Sequence, residues 1–83
     1  MARAPMTPFQ YQVWCCLSDD KPLTAGGVAR RMWGDEMVEW TPRHKAAKLR
    51  GLGAVLNRML VDGWITIVVM ENVTGNYYVR NGV

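Results

Sequence analysis

The chain has 83 residues, a formal net charge of +3, 49% hydrophobic residues and 20% charged ones. That length holds one small domain and excludes two, and the balance of apolar to charged residues excludes a solvated disordered tail. Ten Lys and Arg stand against seven Asp and Glu, a mild basic excess that permits nucleic-acid binding without requiring it.

Residues 1–6 read as a short flexible N-terminal arm carrying Arg3, and residues 7–83 as a single domain. The first helix is expected to start at Thr7, a good N-cap, with Pro8 at the first helical position and Gln10 where a capping-box partner belongs. Phe9, Val13, Cys16 and Leu17 follow helical spacing and define its buried face. The run Ser18-Asp19-Asp20-Lys21-Pro22 breaks the helix. A second helix is predicted from a Thr24 cap to Gly34, with Leu23 packing ahead of the cap and Val28, Ala29, Met32 and Trp33 as its core stripe. Gly26 and Gly27 weaken it, each by up to about 1 kcal/mol relative to Ala, but allow a close helix approach. Residues 35–40 are expected to be a connecting loop.

Trp40-Thr41-Pro42 repeats the opening device, with Thr41 as cap and Trp40 as a hydrophobic staple. The third helix is predicted over residues 42–61, with Leu49, Leu52, Leu56, Met59 and Leu60 as one apolar stripe. Gly51 and Gly53 interrupt it, which fits a bent helix or a late start near Leu52. Asp62-Gly63 closes it. After Gly63 the period changes to two. Trp64 to Met70 is rich in β-branched residues, residues 71–76 carry turn chemistry, and Tyr77 to Arg80 reads as a returning strand. Trp14, Trp33 and Trp64 are expected in the core. Of Tyr77 and Tyr78, one faces the core and the other solvent.

The fold class is therefore α+β, mostly α: three helices and a C-terminal β-hairpin. Leu52 to Ile65, in which leucines at helical spacing lead through Asp62-Gly63 into an apolar strand, resembles the winged helix-turn-helix family of DNA-binding regulators. Leu23-Thr24-Ala25 through Val28-Ala29-Arg30-Arg31-Met32 is similar to that family's second helix. The small size without a ligand domain looks like a phage, plasmid or archaeal regulator. The resemblance implies that the third helix reads the DNA major groove and that the hairpin is the wing.

Arg43, Lys45, Lys48 and Arg50 fall within eight residues, with His44 among them, and no acid lies between residues 40 and 61. A solvated face would normally mix signs. At 100° per residue, Arg43, Ala47, Arg50, Gly51, Ala54 and Arg58 lie opposite the apolar stripe. The small residues among them let a helix backbone approach the groove floor, and the arginines flanking them suit guanine edges or phosphates. Arg58 has a wing acid as its alternative partner. Lys45 and Lys48 suit phosphates, as do Thr24 at its helix N-terminus, Arg30 and Arg31 as a pair, and Arg80 with Asn72 and Asn76 from the hairpin. The acids at Asp35, Glu36 and Glu39, and a wing tip carrying Glu71 in place of a cation, fit this interface less well.

Double-stranded DNA is thus the expected partner, with a homodimer through helix one or the hairpin edge also possible. A protein partner, which the acidic loop and the tryptophans favour, is the alternative, as is an architectural or recombination accessory that bends DNA. No enzyme activity, metal or cofactor is expected. Cys15 and Cys16 are adjacent and form no ligand pattern, His44 is the only histidine, Ser18 the only serine, and the glycine pairs follow no strand. With no secretion signal and no membrane-spanning run, a cytoplasmic protein with reduced thiols is expected.

Overall fold

Three threonines set the architecture, because each caps a helix through its own hydroxyl. The computed structural model describes residues 5–69 and 75–81. Thr7 Oγ1 accepts from the Gln10 amide while the Gln10 side chain accepts from the Thr7 amide, so the capping box opens α1, Pro8–Cys16. Thr24 Oγ1 accepts from the Gly27 amide and opens α2, Ala25–Trp33. Thr41 Oγ1 accepts from the His44 amide and opens α3, Pro42–Val61. Each cap satisfies an amide that the first helical turn leaves without a partner. Gly34 ends α2 at φ +49°, a backbone region that side chains with a Cβ rarely adopt.

The sequence order helix, helix, helix, hairpin is present, so the fold is α+β with a winged-helix-like layout. Strands β1, Ile65–Val68, and β2, Tyr77–Arg80, pair antiparallel with Ile65 opposite Arg80 and Val68 opposite Tyr77. Residues 70–74, including Glu71 and Asn72 of the expected wing tip, and Arg3 of the N-terminal arm lie outside the described residues.

Two expectations are corrected. The connection after α2 is not a plain loop: Gly34–Glu39 forms a 3-10 helix. It is short and acidic, with no apolar period to announce it. The third helix covers the predicted residues 42–61 and continues through Gly51 and Gly53, which excludes a late start near Leu52. Leu49 on one side of the glycines and Leu56 and Met59 on the other pack against the same core. Phe9 is not buried; it is 37% exposed and stacks on Trp33.

The core gathers Val13, Leu17, Val28, Ala29, Leu52, Leu56, Met59, Ile65 and Tyr78. Trp14, Trp33 and Trp64 pack at its margin, half-buried. Tyr78 is the inward tyrosine; Tyr77 is half-buried. Leu23 and Tyr78 exchange two backbone hydrogen bonds, of 3.0 and 2.8 Å, and so add a one-residue third strand beside β2. A Cβ at Gly27 would come within 3.2 Å of Leu23 Cδ2, so this glycine lets the bridge lie close against the start of α2. Among the described residues no helix is long and apolar enough to cross a membrane.

Truncating a core anchor of α3 should test this packing. Leu56→Ala is expected to lower the free energy of unfolding by about 2–5 kcal/mol, read by urea denaturation. Val38→Ala, at a residue 83% exposed, should change it by no more than about 0.5 kcal/mol.

Candidate nucleic-acid interface

The core holds only part of α3. Leu52, Leu56 and Met59 are buried and Leu49 half-buried, whereas every residue from Thr41 to Lys48 is exposed. The side chains of the N-terminal two turns therefore project into solvent and not into the core. Arg43, Ala47, Arg50, Gly51, Ala54 and Arg58 are all exposed, as the helical spacing predicts. From Arg43 to Arg58 the face spans about 22 Å at the usual helical rise. A Cβ at Gly51 or at Gly53 would meet nothing within 4 Å. Among the described residues no internal contact therefore calls for glycine there.

Electrostatics make the projecting end costly in isolation. The first turn of α3 holds no acid, while Arg43 and Lys45 sit in it. The positive end of the helix dipole repels cations by about 0.3–1 kcal/mol each. Among the described residues neither Arg43, Lys45 nor Arg50 has an acidic partner. An anion placed against this end relieves the strain.

The other predicted cations divide by location. Arg30 and Lys45 line one groove with Thr24, Gly26, Gly27 and Met37, so a helix N-terminus and two cations face the same space. Arg31 does not join them. Its guanidinium donates to the Cys16 carbonyl at 3.4 Å and lines a separate groove with Tyr11, Cys15 and Trp33. The pair expected from sequence is thus split to opposite sides of α2. Burial pushes the Cys16 thiol up, against the opposing pull of Arg31.

Arg58 pairs with Asp62 at 3.3 Å, one turn along its own helix, not with a wing acid. Its side chain remains 65% exposed. Arg80 is turned to the α1 side of the molecule. Its guanidinium carbon lies 4.6 Å from the Trp14 ring centre, Nε stands 3.5 Å from Asp19 Oδ1, and its amide donates to the Ser18 carbonyl. It ties β2 to the end of α1, and sequence spacing offered no signal for this long-range contact. Asn76 is exposed at the start of the returning segment.

Sequence reasoning also missed an aromatic cluster at the projecting end. The Trp33 and Trp40 rings lie 5.3 Å apart, the His44 ring meets Trp40 edge-on at 4.9 Å, and Lys48 Nζ lies 5.5 Å from Trp33 and 5.9 Å from Trp40. The expected staple at Trp40 thus closes onto a tryptophan and a histidine. Asp35, Glu36 and Glu39 are exposed on the 3-10 helix just before this cluster. Among the described residues no cluster of three or more potential ligands is placed to hold a metal ion.

The chain matches no family model, no curated protein and no solved structure.

The two kinds of arginine should separate in stability measurements. Arg80→Ala is expected to lower unfolding free energy by about 1 kcal/mol, since it loses a partly desolvated cation–π contact. Arg43→Ala, which removes a cation from a helix N-terminus, should leave stability unchanged or raise it slightly. Parallel urea melts of the two variants decide this; equal losses would contradict it.

Proposed function

We propose that the protein binds double-stranded DNA in a sequence-specific manner through α3, and that it serves as a transcriptional regulator. The observation that carries this reading is the exposed outer face of α3. Small residues Ala47, Gly51 and Ala54 run between Arg43, Arg50 and Arg58, and no acid occurs from residue 40 to 61.

A helix enters the major groove when its backbone can come close to the base edges. Ala47, Gly51 and Ala54 leave that room. Arg43 and Arg50 stand on the same side with guanidiniums that carry no ion pair among the described residues, which suits them to guanine edges or phosphates. The helix glycines support the same reading. Each lowers helix stability by about 1 kcal/mol relative to Ala, and no internal contact requires them. A partner that approaches the backbone gives Gly51 a reason. Lys45 and Arg30, facing the groove at the Thr24 cap, suit a DNA backbone phosphate, which holds register without reading sequence. The winged-helix-like layout agrees with this assignment, as does the resemblance in the Leu52 to Ile65 segment.

A protein-interaction role on the same fold is the second reading. Val38, 83% exposed between the acids Glu36 and Glu39, favours it. Under that reading Val38→Asp abolishes partner binding and the α3 cations are dispensable.

Two substitutions test the DNA reading. Gly51→Ala should raise unfolding free energy by up to about 1 kcal/mol, yet weaken duplex binding, because its methyl group stands where the groove floor must come. An increase in stability with unchanged affinity would contradict close backbone approach. The combined Arg43, Lys45 and Arg50 change to Ala should abolish duplex binding while circular dichroism stays that of the folded chain. In wild type, affinity should fall steeply with salt, each neutralised phosphate contributing about −0.9 to the logarithmic slope.

A further inference from the structure

We infer that Trp33, Trp40, His44 and Lys48 form a clamp whose task is to position the projecting half of α3. The inference deepens the DNA reading, on which its binding consequence rests; its structural part stands alone.

The argument starts from what the projecting half lacks. Thr41 to Lys48 send no residue into the core. A helix end of two turns without packing frays, because local hydrogen bonds alone hold short helices poorly. Two positions on this stretch nevertheless carry ring contacts: His44 with Trp40, just ahead of the cap, and Lys48 with Trp33 of α2. His44 and Lys48, four residues apart, share one flank of the helix. His44 sets its edge against Trp40 at 4.9 Å, and Lys48 holds its ammonium 5.5 and 5.9 Å from the Trp33 and Trp40 ring centres. Trp33 is the last residue of α2 and Trp40 directly precedes the α3 cap. The two indoles, 5.3 Å apart, therefore close the segment joining the helices at both of its ends. Phe9 of α1 extends the stack, with its ring 6.5 Å from Trp33.

The clamp grips the flank that borders Gly51 and leaves the direction of Arg43, Ala47, Arg50 and Ala54 free. By helical spacing His44 and Lys48 are turned away from the direction shared by Arg43, Ala47 and Ala54. Trp40 is thus a positioning residue: it acts on DNA through where it holds Arg43 and Ala47. Lys48 has a second consequence. Its ammonium faces two indoles, so it contributes to orientation and little to phosphate neutralisation. Lys45, on the groove beside Arg30, is the opposite case.

Amide hydrogen exchange on the full chain tests the clamp without DNA. Trp40→Ala should speed exchange of the Lys45 to Arg50 amides at least tenfold while the Leu56 and Met59 amides keep wild-type rates, and Trp40→Phe should restore most of the protection. Wild-type rates at Lys45 to Arg50 in Trp40→Ala overturn the clamp. Lys48→Met, which removes only the ammonium, decides the matter if Trp40→Ala loses protection everywhere: faster exchange confined to Lys45 to Arg50 supports the clamp, and unchanged rates overturn it. On a DNA duplex, Lys48→Met should weaken binding at every salt concentration with the salt slope kept, whereas Lys45→Met should lower the slope by about one. A slope lowered by about one in Lys48→Met makes Lys48 a phosphate contact and overturns its positioning role. Failure of the wild-type chain to bind any duplex removes the DNA reading, and the exchange comparison still decides the clamp.

Discussion

The burial of Leu52, Leu56 and Met59 is the contact on which the rest of the molecule depends. These side chains bring the C-terminal half of α3 against Val13, Leu17, Val28 and Ala29 and under Ile65 and Tyr78. A chain of this size buries a modest core, and here that core is too short to cover a 20-residue helix. The helix therefore divides. One half sends Leu52, Leu56 and Met59 into the core; the other is cationic and exposed, with its ring contacts along one flank. The β-strands follow from the same constraint, since a two-stranded hairpin is marginal alone and gains its stability by packing on α3 and on the Leu23 bridge.

That division gives the proposed chemistry its physical form. Basic residues do not stabilise the N-terminus of a helix, and interior glycines do not stabilise its middle. α3 has both. A domain with little stability to spare keeps features that local energetics oppose, which points to a gain made outside the domain. Polyanion binding offsets the first and close approach of a partner surface offsets the second. The positions of Arg31 and Arg80 sharpen the picture. Both are occupied on the α1 side, one by the Cys16 carbonyl and the other by Trp14 and Asp19. Among the described residues, the cations with no ion pair, side-chain hydrogen bond or ring contact are Arg43, Lys45 and Arg50 on α3, Arg30 on α2, and Lys21.

Much of this was legible in the sequence because its causes are local. Thr7 with Pro8 and Gln10, Thr24, and Thr41 with Pro42 announce helix starts through their own side chains, and Gly34 announces an end through its backbone freedom. The outward set on α3 followed from helical spacing alone. What was not legible depends on residues distant in sequence. The Leu23–Tyr78 bridge is one residue wide and has no period. Arg30 and Arg31, adjacent on a helix, point about 100° apart; the packing of α2 between α1 and α3 decides which groove each one lines. Lys48 looked like a phosphate contact until Trp33, fifteen positions away, stood beneath it.

The central claim is that the projecting face of α3 recognises a DNA sequence. Its most direct test is selection from a pool of random-sequence duplexes by the full chain, repeated across a salt series, with the bound duplexes sequenced. The account predicts an enriched motif of a few base pairs, affinity that falls steeply with salt, and loss of the enrichment in Arg50→Ala. Absence of binding at low salt would contradict the DNA reading, and binding without enrichment would contradict sequence recognition by α3.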